Sequence, residues 1–194
     1  MSAFTWPPES PSPGIGEHDS PADHQIAAAV LVPLFMRGEP PRPHVVLTRR
    51  RSDLRSHAGE ISFPGGRRDP EDPDLAATAL REAEEEIGLA REHVRLLGEL
   101  EATSTLVTGY LIHPFVGSIP EGLAWQLSAR EVDAVLELPL EAIQSGRTRT
   151  HLERRGITFE TDAFVVEDHL IWGATARILE HLLERMRDGD FSDV

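Results

Sequence analysis

The sequence contains no cysteine and no lysine. Without cysteine, disulfides, thiolate zinc sites and a cysteine nucleophile are all excluded, which fits a reducing cytoplasm. All 19 basic residues are arginine, and the simplest reason for the missing lysine is a genome-wide composition bias. Six of the arginines fall in two clusters, Arg49 to Arg51 with Arg55, and Arg67 with Arg68. Local positive charge therefore exists within an acidic chain.

Long apolar runs are also absent. No segment approaches the roughly 20 apolar residues that a membrane helix needs, and the amino terminus lacks the charged-then-apolar order of a secretory signal. We therefore expect a soluble, cytoplasmic protein without a membrane partner. The net charge of −14 argues against nucleic acid as a partner, because affinity for its backbone comes from cations that neutralise phosphates. Small anionic ligands are not excluded.

The chain has the size and composition of one globular domain, with 194 residues of which 40% are apolar. Residues 1–24 are rich in proline, serine and glycine and have no apolar periodicity, so they predict a mobile tail before a domain at residues 25–190. The apolar run Ile26–Arg37 predicts a buried strand, and residues 44–50 predict a second strand paired with it as a hairpin.

The middle of the chain predicts a short strand, a loop and a helix. Residues 61–66 favour a short strand that ends at its proline and two glycines. Asp72 or Asp74 is expected to cap a helix that ends at about Ile87, with Gly88 as its terminator.

The remaining segments add further strands and two helices. The pattern predicts strands within residues 94–103 and 111–119, a strand and short helix within 130–144, one or two strands within 159–173, and an amphipathic helix over 174–189. The order mixes strands and helices without regular alternation. We therefore predict an α+β fold with a mixed β-sheet sandwiched between α-helices.

Residues 81–89, REAEEEIGL, concentrate negative charge on the predicted helix. Glu82, Glu85 and Glu86 share one helical face, and we expect that face, with the Glu86 carboxylate, on the solvent side. Like charges four residues apart cost a few tenths of a kcal/mol, roughly, and a magnesium or manganese ion would offset that repulsion. The alternative is a solvated acidic face on which Arg81 pairs with Glu85.

The residues just before this helix favour the metal interpretation. The segment FPGGRRD, residues 63–69, combines a tight glycine turn with two arginines. It would place a backbone carbonyl and cationic side chains near the glutamates. This arrangement is typical of a metal-bridged phosphate site.

The spacing of these features resembles the Nudix box, which has a glycine, five residues, a glutamate, seven residues and then REUXEEXGU with U apolar. Gly66, Asp72 and residues 81–89 occupy the corresponding positions. The chain departs from the pattern in two ways, since Asp72 replaces the glutamate and the second spacer has one more residue.

A second stretch, LTRRRSDLRSHAGEISFPGG at residues 47–66, is similar to the additional motif of the coenzyme A pyrophosphatase branch, roughly LLTxRSxxLRxHxGxxxFPGG. Arg51 stands where that branch usually has serine. The longer spacer before Arg81 is also usual there. With the similar pieces VTGYLIHPFVG and HLIWGATARIL, the resemblance spans residues 26–183.

The resemblance implies a Nudix fold and hydrolysis of the pyrophosphate bond of coenzyme A or a derivative, giving 4′-phosphopantetheine and adenosine 3′,5′-bisphosphate, with Mg²⁺ or Mn²⁺ as cofactor. By the same resemblance, the metal ligands are Glu82, Glu85, Glu86 and Gly66. The catalytic residues are Glu85, Glu86 and Arg81, with Arg81 orienting the glutamates. The sequence leaves open whether Glu85 is a third ligand or the general base.

The substrate contacts implied by the resemblance are Arg50, Arg55, His57, Gly65 and Arg67. Arginine forks suit phosphate groups, so the pyrophosphate or the 3′-phosphate is the expected target. Surface arginines and a structural histidine remain the simpler alternative.

Three other functions remain open from the sequence. The first is a Nudix hydrolase for another nucleoside diphosphate derivative, such as ADP-ribose, NADH or a nucleotide. The second is a catalytically silent Nudix-fold binding module, and the third is an acidic interaction protein without a site. The sequence also leaves a homodimer open.

Overall fold

The computed structural model describes residues 25–53, 59–105, 109–154 and 156–188. These ranges contain eleven strands, three α-helices and one 3₁₀ turn, Arg91–His93. The strands are β1 (Ile26–Arg37), β2 (Arg42–Arg50), β3 (Ile61–Ser62), β4 (Gly65–Arg67), β5 (Arg95–Glu99), β6 (Thr103–Ser104), β7 (Tyr110–Ser118), β8 (Val132–Pro139), β9 (Arg147–Arg154), β10 (Ile157–Val166) and β11 (His169–Trp172). The helices are α1 (Leu75–Ile87), α2 (Leu140–Ser145) and α3 (Gly173–Asp188).

Strand β1 is the centre of an eight-stranded mixed sheet. It is parallel to β7 from Ile26 paired with Tyr110 to Leu34 paired with Ser118, and antiparallel to both β2 and β4. A strand paired along both edges and covered on both faces is expected to be apolar throughout. The predicted strand, its hairpin with β2 and the mixed sheet are therefore confirmed.

The segment after β3 differs from its prediction. The two glycines do not simply end a strand, because Gly65–Arg67 forms β4 and pairs antiparallel with β1 from Val30 to Ala28. Pro64 has no N–H to donate to the ladder, but its carbonyl accepts a hydrogen bond from the Leu31 N–H at 2.9 Å. Strand β4 lies directly beneath α1, and this position determines the geometry of the site.

The main sheet has one hydrophobic core on each face. On one face, α1 packs Ala79, Ala83 and Ile87 against Leu31 and Phe35 of β1. On the other face, the core contains residues from α2, α3 and a separate three-stranded sheet, packed against the even-numbered positions of β1 such as Val32 and Leu34. These two layers confirm a sheet sandwiched between helices.

The three-stranded sheet has the order β11, β10, β9, and the sequence did not indicate β9. Its residues, RTRTHLER, are mostly polar and exposed. The strand is defined by pairing with β10, from Arg147 opposite Phe164 onwards, and a strand held by its ladder rather than by burial has no apolar alternation to detect.

Helix α1 begins and ends where the sequence predicts. Asp74 is its N-cap, and its carboxylate accepts from the Ala77 N–H at 2.7 Å. Gly88 ends the helix with φ of 69°, a left-handed conformation that suits glycine. Within the described ranges, no helix is both long and apolar enough to cross a bilayer.

Candidate active site

Helix α1 lies over β4, so Glu82 faces Gly66. A Cβ atom added at Gly66 would lie 2.5 Å from the Glu82 carboxyl carbon, closer than any real contact. Only glycine therefore leaves room for the carboxylate at this point, and Glu82 lies directly against the backbone of β4.

One turn further along α1, Glu86 is buried, with 5% of its side chain exposed. Its Oε1 lies 3.9 Å from Nη1 of Arg50. The expectation that Glu86 lies on the solvent side is wrong. The 82/86 face points at β4 and at the end of β2 because α1 lies against the sheet along that face.

Burial raises the pKa of Glu86 to about 8. The carboxylates of Glu82 and Glu131 contribute to this rise in the pKa, while Arg50 and the Gly65 N–H oppose it. Burial also raises the pKa of Glu82, with Arg81 opposing the rise. Two carboxylates are thus held in a desolvated place with too little positive charge around them.

Glu131 is a fourth carboxylate at this site that the sequence did not indicate. It lies just before β8, and its carbonyl accepts from the Arg51 N–H at 3.0 Å. Its charge raises the pKa of both Glu82 and Glu86. A single exposed glutamate far along the chain carries no pattern of its own, and only the pairing of β2 with β8 brings it here.

Arg81 is fixed by Asp72. Its Nε and Nη2 each donate to an Asp72 carboxylate oxygen at 3.0 Å, and Asp72 is 7% exposed. The Arg81 guanidinium holds the pKa of Asp72 well below its usual range, supported by donors from the Asp69 backbone and the Thr78 hydroxyl. Asp72, which stands where the Nudix box usually has a glutamate, therefore orients Arg81.

Arg81 in turn contacts the glutamates of α1. Its Nη1 donates to Glu82 at 2.9 Å and to Glu85 at 3.3 Å, and its Nη2 donates to the Arg67 carbonyl at 3.2 Å. These contacts agree with the predicted orienting role. Glu85 itself is 61% exposed, unlike its two neighbours.

The structure describes three of the five predicted substrate-binding residues, and their relations to the site differ. Arg50 lies beside Glu86, and its buried Nε has no hydrogen-bond partner among the described residues. Gly65 allows close packing, because an added Cβ would overlap the Ala29 carbonyl oxygen. The exposed Arg67 reaches the site through its backbone carbonyl. Arg55 and His57 lie outside the described residues.

The donor set fits a divalent cation. Two carboxylates with raised pKa values, set against the backbone of β4 where glycine leaves room for them, are suited to a hard ion. Among the residues that the structure describes, the three ligand-type side chains already within 4.8 Å of one another are Glu167, Asp168 and His169 on the β10–β11 turn. The carboxylates of Glu82, Glu85 and Glu86 are not gathered as closely as these three, because Glu85 points towards Arg81 and solvent.

A protein-family model described as NUDIX domain matches residues 24–158, which includes β1, the glycines of β4 and the whole of α1. The chain belongs to the Nudix family. Nudix hydrolases generally use divalent metal ions, in agreement with the donor set of α1.

Two curated relatives carry the same family name. An uncharacterized Nudix hydrolase NudL from Photorhabdus laumondii is 40% identical over 168 residues, which are 86% of this chain and 88% of that protein. An uncharacterized Nudix hydrolase NudL from Yersinia pestis is 40% identical over 161 residues, 82% of this chain and 79% of that protein. Both names identify a Nudix hydrolase, and neither name states a substrate.

Solved structures support the Nudix fold. A MutT/nudix family protein from Enterococcus faecalis aligns with a TM-score of 0.61 and 16% identity, over 93% of this chain and 68% of that one. The NUDIX domain of Shewanella oneidensis NrtR, solved with ADP ribose, aligns with a TM-score of 0.55 and 16% identity, over 84% and 90% of the two chains. At these identities the likeness concerns the fold alone.

Proposed function

We propose that this Nudix protein hydrolyses the pyrophosphate bond of coenzyme A or a derivative, with Mg²⁺ or Mn²⁺ as cofactor, within a domain at residues 25–190. The half-buried Glu82 and the buried Glu86, set against the glycines of β4, support the metal-dependent reaction. The substrate is inferred from the motif at residues 47–66. Arg50, a residue of that motif, lies 3.9 Å from Glu86, which supports its assignment to the site.

Glu82 and Glu86 would hold the metal, together with the backbone carbonyl of Gly66. When bound, the metal neutralises phosphate charge and lowers the pKa of a coordinated water. Arg81 orients Glu82 and Glu85. Arg50 presents a guanidinium suited to a phosphate oxygen.

Glu85 is the remaining carboxylate of the acidic face. It is exposed and held at one oxygen by Arg81, so a second oxygen stays open to accept a proton from the attacking water. We propose Glu85 as the general base.

The reaction is tested with purified protein and coenzyme A, with and without Mg²⁺ or Mn²⁺, by chromatography of the products. Glu86→Gln should reduce turnover by at least about 100-fold, since it removes a charged ligand at the reacting phosphate. Glu84→Gln is the matched control, because Glu84 is exposed on the same helix. It should retain full activity.

Metal-dependent release of adenosine 3′,5′-bisphosphate, lost in Glu86→Gln only, would support the proposal. Absence of product from coenzyme A and its derivatives would refute the substrate. Equal activity of the Glu84 and Glu86 variants would refute the assigned ligand.

A second candidate is hydrolysis of another nucleoside diphosphate derivative. It is favoured by Arg51, which departs from the coenzyme A motif and donates to the Asp53 carboxylate and the Ala129 carbonyl instead of leaving a small hydroxyl there. Competition among coenzyme A, ADP-ribose and NADH in one assay distinguishes the two. A protein that binds these ligands without turnover would instead be a silent Nudix-fold module.

A further inference from the structure

Residues 126–131, just before β8, are hydrogen-bonded to the last turn of α1. The Gln126 N–H donates to the Ile87 carbonyl at 3.0 Å, and the Ser128 N–H donates to the Glu86 carbonyl at 2.9 Å. Carbonyls in the last turn of a helix have no partner within that helix, so this segment supplies the partners. Its backbone is thereby fixed next to the buried Glu86.

Arg51, which follows the last residue of β2, holds the same segment from the other side. Its Nη1 donates to the Ala129 carbonyl at 2.6 Å, and its backbone N–H donates to the Glu131 carbonyl at 3.0 Å. Its Nε and Nη2 donate to the two carboxylate oxygens of Asp53 at 2.9 Å and 2.6 Å, which fixes the orientation of the guanidinium. One residue therefore attaches the segment to β2 at two carbonyls.

Glu131, the last residue of this segment, has a fixed backbone and an unpaired carboxylate. Its N–H donates to the Ser128 carbonyl at 3.0 Å, and its carbonyl accepts from Arg51. Its side chain is exposed, and among the residues that the structure describes the carboxylate has no hydrogen-bond or ion-pair partner. The nearby Asp133, by contrast, is paired with Arg49 at 2.8 Å.

Strand pairing places Glu131 on the side of α1 that carries the site. The next residue, Val132, is opposite Arg50, one strand spacing of about 4.8 Å away, and the Arg50 guanidinium lies 3.9 Å from Glu86. Burial raises the pKa values of Glu82 and Glu86, and the charge of Glu131 contributes to both rises. Carboxylates that lie close together affect one another in this way.

The chemistry of a hard ion gives this third carboxylate a use. Magnesium and manganese take an octahedral shell of oxygen ligands, and their charge would offset the repulsion among Glu82, Glu86 and Glu131. An exposed glutamate can move its side chain into such a shell without disturbing the fold, because only its backbone is fixed.

We propose that Glu131 supplies a carboxylate ligand to the metal site from outside α1, and that Arg51 is the residue that positions it. This proposal rests on the metal dependence of the proposed function and not on its substrate. The simpler alternative is a solvated surface glutamate, with Arg51 contributing to stability alone.

The ligand role is tested by metal binding in the absence of substrate. Mn²⁺ is titrated into chelator-treated protein, and the paramagnetic resonance signal of free Mn²⁺ gives the Kd. We expect Glu131→Gln to weaken binding by about 10-fold or more. Asp133→Asn is the matched control, since it removes the same charge from an exposed side chain two residues away, and it should stay within about twofold of the wild type.

The positioning role is tested with Arg51→Ser. By charge alone, removing a cation near a cation site strengthens Mn²⁺ binding. We expect the opposite, a loss approaching the roughly 10-fold effect of Glu131→Gln, and no further loss when both substitutions are combined, because the two residues act through one carboxylate. Thermal unfolding verifies that each variant is folded. Arg51→Lys, which keeps a donor for the Ala129 carbonyl, is used if Arg51→Ser is unstable.

Each part of the proposal can fail separately. Unchanged Mn²⁺ affinity in Glu131→Gln, or an equal loss in Asp133→Asn, would overturn the ligand role. Unchanged or stronger binding in the Arg51 variant, or losses that add in the double variant, would overturn the positioning role.

Turnover provides an independent measurement. With coenzyme A, the activity lost in Glu131→Gln should recover as Mn²⁺ is raised, since mass action fills a weakened site. A loss that persists at saturating Mn²⁺ would overturn the ligand role. If the wild type cleaves neither coenzyme A nor a derivative, the proposed function fails, while the Mn²⁺ titration still decides the role of Glu131.

Discussion

At the scale of single residues, Glu86 shows a conflict between stability and function. Its carboxylate is almost fully buried, and within the described part of the chain it pairs only with Arg50, at 3.9 Å. Burying a charge without a close partner is costly, so the metal-free protein carries this cost at the position where a cation would relieve it. The same residue should therefore limit stability and support activity.

The first residue-scale prediction concerns pH. The folded-state pKa of Glu86 is about 8, above its ordinary 4.5, so the folded protein retains a proton that the unfolded chain loses. This contribution is fully present below pH 4.5 and is lost as pH rises through about 8. We expect Glu86→Gln to be more stable than the wild type at pH 8.5 by about 1–3 kcal/mol and nearly equal at pH 4.5.

The measurement is urea unfolding in the presence of a chelator at both pH values. Glu84→Gln serves as the control and should follow the wild type. Parallel pH dependence of the wild type and Glu86→Gln would contradict the buried charge.

The pKa shift of Asp72 is opposite in sign to that of Glu86, and so is the expected pH dependence of stability. Its folded-state pKa is lowered from 3.8 by Arg81, so its contribution is present above pH 3.8 and is lost as pH falls through the lower folded value. We expect Asp72→Asn to destabilise the protein by about 3 kcal/mol at pH 7, because it leaves Arg81 partly buried without its main partner, and by less at pH 3.

Chemical unfolding at pH 7 and pH 3 measures the effect. Asp69→Asn is the comparison, since Asp69 is exposed and 3.8 Å from Arg81. If Asp72→Asn and Asp69→Asn cost the same, the Asp72 pair with Arg81 does not have the strength that its geometry indicates.

At the scale of elements, β4 and α1 form one unit. Adjacent glycines of β4 face different neighbours, since an added Cβ at Gly66 meets the carboxylate of Glu82 and one at Gly65 meets the backbone of β1. A carboxylate at the end of a flexible side chain can move, whereas a paired strand cannot move without losing its ladder.

We therefore expect the two alanine variants to behave differently. Gly66→Ala should keep its fold but lose at least about 10-fold in metal-dependent activity, because Glu82 is displaced from its position. Gly65→Ala should lower the free energy of unfolding by about 2 kcal/mol, because overpacking against a backbone strains the sheet. Activity assays with unfolding curves for both variants test this, and similar losses in both properties for the two variants would refute it.

At the scale of the whole molecule, the two faces of the main sheet have different roles. The α1 face carries the glutamates, and the opposite core, with α2 and the three-stranded sheet, supplies much of the buried apolar surface. Ile143 of α2 is fully buried in that opposite core, away from β4 and α1.

Replacing Ile143 with alanine should therefore reduce stability without affecting the site. The expected loss is about 2–5 kcal/mol, while turnover per folded molecule at low temperature stays within about twofold of the wild type. Glu86→Gln should instead lose turnover without losing stability. A large loss of turnover in folded Ile143→Ala would show that the two faces are coupled.

The sequence by itself predicted the parts whose signal is local. The apolar run of β1, the Asp74 cap and the Gly88 terminator of α1 each depend on neighbouring residues, and the structure has all three. The spacing of Gly66, Arg81 and the glutamates also identified the family, because one helix and the strand beneath it carry most of that motif.

Features that depend on distant residues follow instead from how the elements pack together. Helical periodicity placed Glu82 and Glu86 on one face, but the packing of α1 on β4 determined that Glu86 is buried and Glu82 half-buried. Strand pairing brought Glu131 beside them and defined β9 without apolar alternation. Burial, electrostatic environment and register are sums over contacts between remote segments, so they follow from the assembled fold and not from any one stretch of the chain.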